Sequence, residues 1–155
     1  MTTLKLEDLA HQPMTVLPQI NRLMAVELRQ EVDESATMPQ FRVLAYLQEA
    51  PMTLTALAQK RRVSLQSAGE LVQSLVARGW VTRTPDPSDR RQSILQLTDE
   101  GRANYERVQD RMQEQLTAYL ALLTASEREA VQQALIALAR VIQTQESGVI
   151  VDDNG

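Results

Sequence analysis

The sequence predicts a mainly helical protein with one short β-hairpin, and three observations predict it. Apolar residues make up 43% of the 155-residue chain but aromatics only 3%, a balance that suits helices packed on helices. Apolar residues recur at helical spacing along most of its length. Only past Gly79 does the pattern change, to two strand-like runs at residues 80–84 and 93–98 around a charged turn at 85–91. The order read from these signals is α-α-α-α-β-β-α-α in a single domain, with room for one extra short strand.

Residues 1–12 are polar and weakly patterned. From Val16, apolar residues at Ile20, Leu23, Met24, Leu28 and Val32 mark one face of a first helix, and Pro18 fits only within its first turn. Thr37 caps a second helix, which tolerates Pro39 near its start and turns Phe41, Leu44, Ala45 and Leu47 inward. A short third helix follows Thr53 and uses Leu54, Leu57 and Ala58.

Ser64 caps the fourth, which runs to Arg78 and stops at Gly79. Its inner side is Ala68, Leu71, Val72, Leu75 and Val76, with Leu65 at the margin. After the hairpin, Thr98 caps a long helix to about Leu123. Ser126, Glu127, Arg128 and Glu129 form a capping box for the last, which carries Val131, Leu135, Leu138, Val141 and Ile142. The tail from Glu146 is expected to fray.

Several classes are excluded at once. The chain has no cysteine and one histidine, so disulfides, thiolate metal sites and thiol redox sensing fall away. No glycine-rich phosphate loop or serine-nucleophile motif is present, which leaves little to build an enzyme site from and no need for a cofactor or metal. No apolar run approaches the roughly 18 residues of a membrane span, and a cytoplasmic protein is expected.

A net charge of −4 looks wrong for a polyanion binder until it is partitioned. Residues 60–98 hold seven Lys and Arg against three acids, a local +4 that leaves −8 elsewhere. Affinity for DNA follows the local field.

A helix that runs at once into an arginine-tipped hairpin is a shape that grips a duplex, helix in the major groove and hairpin on phosphates or the neighbouring minor groove. The outward side of the fourth helix presents Gln66, Glu70 and Gln73, flanked by Ser67, Gly69 and Ser74. Gln suits adenine N6 and N7, and Ser or Gly lets the backbone come close. The same row also reads as an ordinary solvated face. Glu70 is the awkward member: it must accept from cytosine N4, pair with an Arg, or act by penalising wrong sites. In the turn, Asp86 or Asp89 can brace one of Arg90 and Arg91 by a bidentate pair while the other projects as a groove probe. The DNA-facing set is therefore Arg61, Arg62, Ser64, Gln66, Ser67, Gly69, Glu70, Gln73, Arg83, Asp89, Arg90 and Arg91, with Lys60 beside it.

At these residues a family resemblance becomes specific. Asp86-Pro87-Ser88-Asp89-Arg90-Arg91, then Leu95-Gln96-Leu97-Thr98 and Gly101, resembles the wing signature of the MarR family of transcription regulators. Residues 39–44, Leu57-Ala58, Val63-Ser64, Leu71-Val72, Leu75, Arg78-Gly79-Trp80-Val81 and Arg83 match in the same order, so the similarity covers roughly residues 14–142. It implies a winged helix-turn-helix at 37–98, and helices at 14–34 and 99–145 that form a dimerisation lobe. It also implies a homodimeric repressor on a pseudo-palindromic operator, released by a small aromatic or phenolic ligand. The terminal helices carry apolar faces broad for a small monomer, which points to a dimer independently. Gly69 and Glu70 depart from the residues common there, so operator sequence does not carry over.

A ligand would lie where helices 1, 2 and 5 meet the DNA lobe, with His11, Met24, Met38, Phe41, Arg42 and Tyr46 of suitable chemistry. Met24 and Phe41 equally suit a core, and Arg42 an ion pair. The competing account of the whole chain is a winged protein-interaction module that does not bind DNA.

Overall fold

Capping chemistry fixes most of the boundaries in the computed structural model, which describes residues 5–148. The order is α1 (Leu6–Glu31), α2 (Met38–Glu49), β1 (Met52–Thr53), α3 (Leu54–Arg61), α4 (Leu65–Ala77), β2 (Val81–Pro85), β3 (Ser93–Leu97), α5 (Asp99–Ala121) and α6 (Ala125–Gly148). The mainly helical chain with one hairpin is what the sequence predicts, and β1 takes up the room left for one extra short strand. The Thr37 hydroxyl accepts the Gln40 N–H while the Gln40 side chain accepts the Thr37 N–H, a reciprocal box. Thr53, Ser64 and Thr98 cap α3, α4 and α5 by one bond each, accepting the N–H three residues on.

Most boundaries fall within two residues of the sequence reading, and three differences stand out. α1 begins at Leu6, so Pro13 and Pro18 both lie inside it instead of Pro18 opening it. Each proline removes one backbone hydrogen bond and crowds the carbonyl four residues back, at about 3 kcal/mol in a helix interior. α6 opens two residues early, because Thr124 and Glu127 form the box: the Thr124 N–H donates to Glu127 Oε2 at 2.7 Å and the Glu127 N–H to Thr124 Oγ1 at 3.3 Å. Those bonds hold the Glu127 carboxyl below its usual range. α6 also continues past Glu146 to Gly148, and the rest of the expected tail, 149–155, lies outside the described residues.

The chain divides near Gln113 into two units, one holding α1 to most of α5 and the other the end of α5 with α6. In the first, β1, β3 and β2 form an antiparallel sheet with β3 central. Val81 pairs with Leu97 and Pro85 with Ser93, which puts the proline on an edge strand where its missing N–H is tolerated. Val43, Leu44 and Leu47 of α2, Leu57 of α3, Ala68, Val72 and Leu75 of α4, and Trp80, Val81, Leu95 and Leu97 around the hairpin base make one core. Burying each leucine contributes about 1.5–3 kcal/mol. Leu28, Phe41, Val108 and Met112 make a second, in which Phe41 stacks on Tyr105 with centroids 5.1 Å apart. Val76, expected inside, is exposed: it shares the flank of α4 with Leu65, outside the packed stripe centred on Ala68, Val72 and Leu75.

A tight node joins α4 to α5. Gly79 sits at φ +75° and ends α4, with its N–H on Val76 O and the Trp80 N–H on Leu75 O. The Thr98 N–H then donates to Trp80 O and the Thr98 hydroxyl to Gly79 O. Gly101 passes so close that a Cβ there would lie 2.0 Å from Trp80 O. That approach explains the glycine.

A candidate nucleic-acid interface

The turn between α3 and α4 starts the surface. Arg62 takes a left-handed conformation at φ 53°, where its N–H reaches Gln59 O and the next N–H reaches Ala58 O, closing the end of α3. Such a φ strains any residue but glycine. Arg62 is exposed and Arg61 half-buried. Lys60 is drawn away, its ammonium 3.5 Å from Glu49 and 4.7 Å from the Tyr46 ring centroid.

Along α4, Gln66, Ser67, Glu70 and Gln73 are exposed on the side away from Ala68, Val72 and Leu75. The Ser64 hydroxyl accepts the Ser67 N–H at 3.1 Å and donates to the Ser67 hydroxyl at 3.0 Å. Gln66 Nε2 donates to Glu70 Oε1 at 3.3 Å. Two residues of the expected flank turn inward. A Cβ on Gly69 would touch Leu54 of α3 at 3.9 Å, and Ser74 accepts from Gln40 Nε2 while donating to Leu71 O.

Beyond Val81 and Leu95 the hairpin leaves the core, since the rest of β2 is exposed. It is an arm rather than a wall. The tip is braced from within: Asp86 accepts the Ser88 hydroxyl and N–H, which hold its carboxyl below the usual range. Asp89 accepts the Arg91 N–H and lies 3.7 Å from Arg91 Nε, a loose pair instead of the expected bidentate one. The Arg91 side chain stays 96% exposed, and Arg90 has no ion pair among the described residues. Arg83 donates through Nε to Ser93 Oγ. Both tip arginines project.

Arg78 does what the sequence did not suggest. It donates to Asp33 Oδ2 at 2.7 Å and to the Ser35 hydroxyl, and lies over the Trp80 ring at 4.8 Å. Hydrogen bonds from Arg78 and Ser35 hold the Asp33 carboxyl far below the ordinary carboxylate range. A cation counted with the DNA-facing charge is thus a tie between the end of α4 and the α1–α2 turn.

The ligand candidates are not gathered into one cleft. Phe41 is core and stacks on Tyr105, while Met24 and Met38 pack half-buried beside it. Arg42 is exposed and donates to Asn21 Oδ1 at 3.2 Å; Tyr46 lies under Lys60; His11 is exposed on α1. A cleft of about 310 Å³ near the Arg78 tie is lined by Val32, Asp33, Trp80 and Asn104, and by none of the six. No group of three or more His, Cys, Asp or Glu able to hold a metal occurs among the described residues, and no helix there is long and apolar enough to cross a membrane.

Known proteins share this arrangement. Residues 36–92, from the start of α2 to the wing tip, match the MarR family model. A curated relative, the HTH-type transcriptional repressor NicR of Pseudomonas putida, is 28% identical over 94% of this chain and 96% of its own. The structure of apo MarR from E. coli superposes with a TM-score of 0.69 at 28% identity, covering 88% of this chain and 98% of that one. The transcriptional regulator PcaV of Streptomyces coelicolor, in complex with its natural ligand, does so at 0.62 and 26%, covering 90% and 98%. The matched segment contains the capped α4, the exposed arm and its two projecting arginines, and the likeness to whole chains extends through the flanking helices. Residues 36–92 thus carry the MarR family's winged-helix segment, and along most of its length the chain is similar to proteins named as transcriptional regulators and not as enzymes.

Proposed function

We propose that the protein is a cytoplasmic homodimeric repressor that binds a pseudo-palindromic operator and releases it on binding a small aromatic or phenolic ligand. The observation that carries the reading is the exposed arm: a hairpin with no core of its own, tipped by Arg90 and Arg91, beside a helix whose outward row is polar. In a dimer two such helices would enter successive major grooves about one helical turn apart. Arg61, Arg62, Arg83, Arg90 and Arg91 would neutralise phosphates, and Asp89 would set the pose of the tip. Ser64, Gln66, Ser67, Glu70 and Gln73 would meet base edges and backbone, with Gly69 beside them.

The dimer reading, with the helices at 14–34 and 99–145 as its lobe and 37–98 as the DNA lobe, is supported by apolar side chains left in water. Leu9, Met14, Val16 and Leu17 of α1 are exposed, as are Leu135, Leu138, Val141 and Ile142 of α6. An effector would sit where α1, α2 and α5 meet, against Met24 and Met38 beside the Phe41–Tyr105 stack, with Arg42, Tyr46 and His11 reaching it only after a rearrangement, and would favour a spacing of the two DNA lobes that no longer fits the grooves.

The test is a selection of genomic fragments by the purified full-length protein at two salt concentrations, beside Arg90→Ala/Arg91→Ala. The expected result is one enriched pseudo-palindrome, weakened by salt and by the double substitution. Wild type and variant indistinguishable at low salt, with nothing enriched, would remove DNA recognition and leave a protein-interaction module.

A further inference from the structure

We infer that Glu70 is a specificity-determining residue that selects a cytosine in each half-site; the inference rests on the DNA-binding reading above. Three features of α4 carry it. The helix has no Lys or Arg from Leu65 to Ala77, so nothing within it compensates the carboxylate. Glu70 makes no salt bridge among the described residues, and its bond is to the neutral Gln66 amide at 3.3 Å. It is exposed in the second turn after the Ser64 cap, on the row with Gln66 and Gln73, and it is the first half of a recognition helix that meets base edges.

The hydrogen bond sets what the pair presents. Gln66 commits one amide hydrogen to Glu70 and leaves Gln66 Oε1 free. The outward edge is therefore rich in acceptors. In the major groove the matching donors are the cytosine N4 and adenine N6 amino groups. Adenine carries the N7 acceptor beside its amino group, which repels a carboxylate. The cytosine edge carries only C–H there, so cytosine is preferred. Guanine N7 and O6 and thymine O4 would face the carboxylate acceptor to acceptor. A carboxylate also repels phosphates, so Glu70 lowers affinity everywhere while raising the contrast between right and wrong sites.

The experiment is selection from randomised duplexes by full-length wild type, Glu70→Gln and Glu70→Ala, with affinities for the selected site and for an unrelated duplex. Melting curves check that both variants fold. Wild type should select one C·G pair per half-site and prefer it roughly 10- to 100-fold over the alternatives. Glu70→Gln should move that position toward adenine. Glu70→Ala should lose the preference there, keep it elsewhere, and bind unrelated DNA more tightly than wild type. Variants that select the wild-type half-site unchanged, or a wild-type site with no cytosine preference that depends on residue 70, would overturn the inference and leave the DNA reading intact. A wild type that selects nothing would overturn both.

Discussion

α4 and α6 are both amphipathic helices, yet they meet opposite fates in this chain. Ala68, Val72 and Leu75 of α4 are shut off from water, whereas no residue of α6 from Ala125 to Glu146 is even half-buried. α4 finds its neighbours close by in sequence, in α2, α3 and the hairpin base. α6 leaves Leu135, Leu138, Val141 and Ile142 exposed. Apolar stripes of this kind are stable only when covered. One region closes its own core; the other leaves its apolar side open.

The closed region should break hardest at its tightest approach. Gly101→Ala places a methyl group 2.0 Å from the Trp80 carbonyl, so the start of α5 or the hairpin base must move. A drop in stability of about 3 kcal/mol or more is expected in denaturant unfolding. Gly69→Ala is the control, because its methyl would meet only Leu54 at 3.9 Å. There a helix interior gains its side chain without a clash, for a gain of up to about 1 kcal/mol. Equal effects at the two glycines would show that the node is not close-packed.

The open region should break by assembly rather than by unfolding of the core. Leu138→Glu/Ile142→Glu puts two carboxylates into the stripe that a partner would cover. Sedimentation should show a monomer where wild type is a dimer, with dimerisation weakened by at least roughly 3 kcal/mol. Melting of wild type should depend on protein concentration and that of the variant should not. A wild type that is monomeric from the start would make α6 a surface without a partner and sink the dimer.

The same contrast separates what the sequence reveals from what it hides. Thr37, Ser64 and Thr98 are legible because a cap is written within three residues. α6 shows the limit of that code: Thr124 with Glu127 and Ser126 with Glu129 both spell a box, and only the chain path decides for the first. β1 is two residues held by Ile94 and Leu95, some 40 positions on, so no local pattern announces it. Pro13 and Pro18 inside α1 contradict local propensity outright, and the neighbouring Met14, Val16 and Leu17 are exposed, so nothing packed on that half of the helix explains them. At the site, the outward row of α4 is readable from periodicity. The Arg78–Asp33 tie is not, because its partners are 45 residues apart and the pairing exists only after folding.

The smallest effect tests whether the closed region has given up stability for DNA binding. Arg62 holds a left-handed conformation that a glycine would adopt freely, and its side chain is exposed between α3 and α4. Strain of that kind persists where the side chain is needed. Arg62→Gly should therefore raise stability by about 0.5–1 kcal/mol, the relief of φ outweighing the extra freedom of the unfolded chain. Operator affinity should fall in the same variant, with a salt slope shallower by about 1 for each phosphate that the guanidinium no longer neutralises. Opposite signs in melting and binding would mark the residue as kept for DNA. A variant both more stable and equally tight would mean that Arg62 touches no phosphate, and that the positive surface begins at the arm.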